Sequence, residues 1–115
     1  MAALLTDAQR DTLTGIVDRL IPADGERPGA VSAGVAGYLE SASARSSRKA
    51  RSVLSVVQEV DSEAGREHRR AFRELTEGQK DGVLKAVERQ AGDLFHDLVT
   101  QVYDGYYTNA DVLAG

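Results

Sequence analysis

Two pairs and one triplet of side chains have the types and spacing for chemistry. Asp93 and His96 stand three residues apart, so a helix would present both to one metal ion. Glu59 and Glu63 repeat at helical spacing, as two carboxylates sharing acid–base work would have to. Tyr103, Tyr106 and Tyr107 crowd into VYDGYYTNAD, residues 102–111, and are half of the six Tyr and Phe in a chain without Trp.

Each reading meets a limit in the sequence itself. A dimetal bundle site needs a Glu-x-x-His on each of two helices with two further Glu. The only other histidine, His68, stands among arginines that repel a cation, so His96 reads as a surface residue. The absence of cysteine removes disulfides, thiolate ligands and Cys nucleophiles. No Gly-x-Ser-x-Gly or Gly-x-Gly-x-x-Gly motif occurs, and the glycines at 25, 29, 34 and 37 follow no strand pattern. Glu59 and Glu63 read as solvated charges. The expectation is therefore no catalytic, cofactor-binding or metal residue in this chain.

Partner recognition is left. Tyr103 and Tyr106 continue an apolar stripe and are expected in the core. Tyr107 falls on the neighbouring face, where it either caps the end of the bundle or, with the adjoining Thr108, is an interface candidate, since amphipathic aromatics at an edge are favoured anchors. The net charge is −4, yet residues 45–73 hold eight Lys/Arg against four Asp/Glu. Within that basic stretch Arg69, Arg70 and Arg73 are the second set of interface candidates. An acidic chain without aromatics interleaved among its arginines is not expected to bind nucleic acid.

The elements that must position these residues are helical. Thr6 and Gln9 form a capping box ahead of Leu13, Ile16, Val17, Leu20 and Ile21, and Pro22 stops that helix. Residues 22–31 read as a loop, and Ser32 as the cap of a short helix burying Val35, Tyr38, Leu39 and Ala42. SASARSSRKAR, residues 41–51, reads as a flexible connection. A third helix carries Val53, Leu54, Val56, Val57 and Val60 to about Gly65, followed by a short one with Phe72 and Leu75 on one face. Thr76 and Gln79 repeat the capping box before Val83, Leu84, Val87 and Ala91. Gly92 and Asp93 mark a break, and the last helix runs Leu94, Phe95, Leu98, Val99, Val102, Tyr103, Tyr106. With no alternating β pattern, the fold class is all-α: a single domain, 1–115, built as a small bundle of about five helices.

As an ordered set, three stretches resemble the gluconate 2-dehydrogenase subunit 3 family. They are LTDAQRDTLTGIVDRLIPADGERPGAVSAGVAGYLE (5–40), FRELTEGQKDGVLKAV (72–87) and DLFHDLVTQVYDGYYTNADVLAG (93–115). The most specific parts are DRLIPAD, the Pro-Gly-Ala leading towards Gly-Tyr-Leu, and GYYT. The resemblance implies a non-catalytic small subunit of a sugar or polyol dehydrogenase. Its large-subunit partner would be of the glucose–methanol–choline type, would carry FAD, and often passes electrons to a cytochrome subunit. The small subunit would stabilise and help mature that flavoprotein, its arginines complementing an acidic partner surface. The rival expectation is a stand-alone helical adaptor or regulatory module.

Unlike many members, the chain shows no twin-arginine signal, and it has Ala110 where a Pro is common. No apolar run is long enough to cross a bilayer. The expected location is cytoplasmic, or periplasmic if a signal is removed or export occurs with a partner.

Overall fold

Three of the α-helices begin where a side chain satisfies free backbone N–H groups. The computed structural model describes residues 5–22, residue 29 and residues 34–114, with side chains to residue 108. Helix α1, Asp7–Leu20, is capped by Thr6, whose hydroxyl accepts from the Gln9 backbone N–H at 3.1 Å. Gln9 Oε1 in return accepts from the Thr6 N–H at 2.9 Å. Helix α4, Glu77–Gln90, repeats the box with Thr76 and Gln79 at 3.2 and 3.0 Å. Leu5, just before the first cap, is buried in the core.

Helix α2, Val35–Arg45, starts differently. Its cap is Gly34 at φ 75°, a left-handed conformation that glycine adopts without a Cβ clash, and no side chain caps it. The expected Ser32 cap, and most of the 22–31 loop, lie outside the described residues. The connection expected over 41–51 is almost entirely helix. Only Ser46 separates α2 from α3, Ser47–His68, and its hydroxyl caps α3 through the Lys49 N–H at 3.3 Å. Small side chains explain the difference. Ala42 and Ser43 are buried at helix contacts, where tertiary packing outweighs the flexibility that their composition suggests.

Helix α3 runs three residues past Gly65 and ends at Arg69, which takes a left-handed φ of 54°. The short helix expected next is a single 3₁₀ turn, Phe72–Glu74. It delivers Phe72, fully buried, against α1 at Gly15, where an added Cβ would stand 3.1 Å from the ring. The break near Gly92 is present. Ala91 ends α4 with its N–H donating to Val87 O at 2.8 Å, and helix α5, Gly92–Ala114, follows at once.

Helix α3 is the axis of the bundle and packs against the other four helices. Val53, Val56, Val57, Val60 and Ala64 along it meet Leu13, Ile16, Val17, Leu39, Val87, Leu98 and Val102 in one core. The molecule is all-α among its described residues, with five α-helices and one 3₁₀ turn. Its radius of gyration is 13.5 Å, as expected of a compact domain this size. No described helix is long and apolar enough to cross a membrane.

Candidate partner interface

The tyrosines are placed by the seating of α5. Its N-terminal half is fixed by a polar cluster on α3. Ser52, 2 % exposed, donates to Asp97 Oδ2 at 2.5 Å, Arg48 donates to Oδ1 at 2.9 Å, and Gln101 Nε2 donates to Oδ2 at 3.1 Å. The Ser52 hydroxyl, against the opposing effect of burial and with help from Arg48 and Gln101, holds the Asp97 carboxyl below the usual carboxylate range. Further along, Gly105 is buried against Tyr38 of α2. A Cβ there would fall 2.5 Å from Tyr38 Cδ1, so only glycine lets the ring lie on the helix backbone.

Gln101 and Gly105 therefore belong to the inward side together with Leu98 and Val102. That turns Tyr103 outward, contrary to the expectation that it continues the core. Tyr103 is 40 % exposed and Tyr107 61 %, and they are the exposed large hydrophobics of the described residues. Their rings stack with centroids 6.1 Å apart and planes at 30°. Tyr106 is half-buried against the core, as expected, and meets Tyr107 edge-on at 5.6 Å. Thr108 is exposed beside Tyr107, its hydroxyl donating back to Asp104 O at 2.8 Å. His96, Thr100, Tyr103, Asp104, Tyr107 and Thr108 form one outward face.

The arginine candidates lie elsewhere. Gln90, just before α5, donates to Glu63 at 3.2 Å, whereas Asp97 is held by Ser52, so α5 runs antiparallel to α3. Tyr103 and Tyr107 thus lie towards the N-terminal end of α3, and Arg69, Arg70 and Arg73 beyond its other end. The helix between Ser52 and Arg69 alone spans about 25 Å. Arg73 pairs with Asp11 of α1 at 2.5 Å, both side chains more than half exposed, a contact worth little in water. Arg69 and Arg70 are exposed and carry no ion pair among the described residues. The structure brings Tyr107 together with Thr108 and with Tyr103, which sequence reasoning missed, but not with the arginines.

The remaining candidates for chemistry are also placed. Asp93 and His96 are exposed, and His96 Nε2 lies 3.1 Å from Glu88 Oε2 of α4. The described residues contain no group of three or more His, Asp or Glu placed to hold a metal ion. Glu63 is not the solvated charge expected. It is 4 % exposed, between two surface cavities shared by α3 and α4. Burial disfavours its charge, but Gln90 and Arg66 bind the carboxylate and hold its pKa below the usual range. Asp81 is likewise lowered, by the paired hydrogen bonds from Arg19 at 2.9 Å that tie α1 to α4. All three carboxyls are stabilised as anions, the opposite of what a general acid needs near neutral pH.

Residues 7–112 match the family model described as gluconate 2-dehydrogenase subunit 3. No curated protein and no solved structure matches the chain.

Proposed function

The chain belongs to the gluconate 2-dehydrogenase subunit 3 family, and from that premise we propose that it is a non-catalytic accessory subunit. It docks to, stabilises and helps mature the large subunit of an FAD-dependent sugar or polyol dehydrogenase. The observation that carries this reading is the stacked pair Tyr103 and Tyr107, the exposed large apolar side chains among the described residues. Tyrosines at the centre of a protein interface commonly carry a large share of its binding energy. The flavin belongs in the partner. The described residues contain no strand, and so no strand–turn–helix of the kind that cradles a dinucleotide pyrophosphate. A cytochrome subunit would take electrons from the flavoprotein without needing a contact here.

The mechanism is linkage. A subunit that binds only the folded, flavin-loaded partner shifts that partner's folding equilibrium by mass action, by about 2.7 kcal/mol at a hundredfold excess over Kd. The test is expression of the flavoprotein with and without this chain. With it, the flavoprotein is soluble, yellow and copurifies. Without it, soluble yield and flavin content fall. Equal yield and flavin content in both cases would refute the maturation role, and separate elution of the two proteins on gel filtration would refute the complex.

A further inference from the structure

The exposed face of α5 has a second property, its charge. The 23 residues of α5 include four Asp and no Lys or Arg, although the chain holds 14 Lys and Arg in all. Helix α2, which lies against α5 at Tyr38 and Gly105, has none from Val35 to Ala44. Glu88 of α4 adds another carboxylate beside His96. Arg48, which reaches α5 from α3, is bound to Asp97 on its flank. The two exposed rings therefore stand beside an exposed carboxylate, Asp104, on a helix with no Lys or Arg of its own.

Its geometry is that of a cation receptor. Asp104 follows Tyr103 and precedes Tyr107 by three residues, so its exposed carboxylate shares their sector of the helix. Aromatic faces carry negative potential and attract a cation within about 6 Å of the ring centroid. A guanidinium suits this combination better than an ammonium, because its plane stacks on a tyrosine while its N–H fork binds a carboxylate. We infer that the Tyr103–Asp104–Tyr107 face receives an arginine-bearing surface of the flavoprotein subunit. This rests on the accessory-subunit reading and fixes the sign of the contact. The partner is basic where it meets α5, and the arginines at the far end of α3 are not the docking site.

The test uses the copurified complex and five variants of this chain, each first shown to keep the wild-type circular dichroism. Asp104→Lys lowers affinity for the flavoprotein by about tenfold or more, and Asp104→Asn by less. Tyr107→Phe, which keeps the ring, stays within about twofold, whereas Tyr107→Leu, which keeps apolar bulk without the π face, loses about tenfold. Wild-type affinity weakens as salt rises, and the Asp104→Lys complex shows a reduced slope. A double reversal, Arg69→Glu with Arg70→Glu, leaves binding unchanged. A wild-type complex that tolerates Asp104→Lys, or that Arg69→Glu with Arg70→Glu abolishes, overturns the inference and leaves the subunit reading standing. Failure of the wild-type chain to capture any flavoprotein overturns both.

Discussion

Replacing Gly105 with alanine tests the seat that turns the tyrosines outward. The new Cβ would lie 2.5 Å from Tyr38 Cδ1, 3.0 Å from Cγ and 3.1 Å from Cε1. Carbon atoms in good contact stand about 3.5–4.0 Å apart, so the ring must retreat by about 1 Å. Cγ is the root of the ring, so a small rotation of a distal atom does not relieve the clash. Either Tyr38 leaves its place or α2 and α5 separate. Overpacking of this kind costs about 1–3 kcal/mol, offset by about 1 kcal/mol from the better helix propensity of alanine. The expected result is a net loss of about 1 kcal/mol, or about 4 °C in Tm for a domain of this size. Gly82→Ala in α4 is the control. Nothing lies within 4 Å of its added Cβ, so only the propensity gain remains and stability rises by about 0.5–1 kcal/mol. Thermal melts followed by circular dichroism measure both. In a Tyr38→Ala background, Gly105→Ala should change from destabilising to neutral or stabilising. If Gly105→Ala alone stabilises as much as Gly82→Ala, α5 does not rest on Tyr38, and the outward assignment of Tyr103 loses its basis.

Other perturbations probe the same structure from different sides. Tyr103→Ala and Tyr107→Ala should each change stability by less than about 1 kcal/mol, whereas Phe72→Ala, fully buried, costs about 3–5 kcal/mol in a urea titration. Thr6→Ala and Thr76→Ala each remove a capping box at about 1 kcal/mol, and their effects should add because the caps share no partner. Arg69→Gly relieves a left-handed φ and should stabilise the fold by about 1 kcal/mol; a loss instead would mean that the arginine side chain makes a compensating contact. Asp97 has a depressed folded-state pKa, so between that value and the unfolded one the unfolded chain binds more protons and stability falls as pH is lowered. Its contribution is complete above the unfolded value of about 3.9 and disappears as pH drops through the folded pKa. Melts from pH 6 downward should show a shallower acid decline in Ser52→Ala, which lacks the main cause of the shift.

Much of the fold is legible one residue at a time. Both capping boxes sit where Thr-x-x-Gln places them, because a cap depends on atoms within one turn. The apolar stripes of α1, α3 and α4 are likewise local, since helical periodicity alone collects Leu13, Ile16 and Val17, or Val53, Val56 and Val60, on one side. Local pattern is weaker where small or polar residues do the packing. SASARSS reads as a linker by composition, yet Ala42 and Ser43 are buried where helices approach closely. Glu63 reads as a surface charge until Arg66 and Gln90 close around it.

For the candidate interface, the sequence by itself determined that tyrosines cluster at the end of the last helix and that this helix lacks Lys and Arg. Which of those tyrosines face outward was decided only by the tertiary structure. The buried side of α5 contains Gln101 and Gly105, residues that no hydrophobic pattern assigns to a core. Gln101 is inside because Asp97, one turn earlier, is held to that side by Ser52 and Arg48 of α3 and accepts the Gln101 amide hydrogen bond. Gly105 is inside because Tyr38 of a different helix occupies the space where a side chain would be. Both causes are contacts with particular partners. Together they rotate the core stripe past Tyr103, and so place Tyr103 beside Tyr107 on the exposed face.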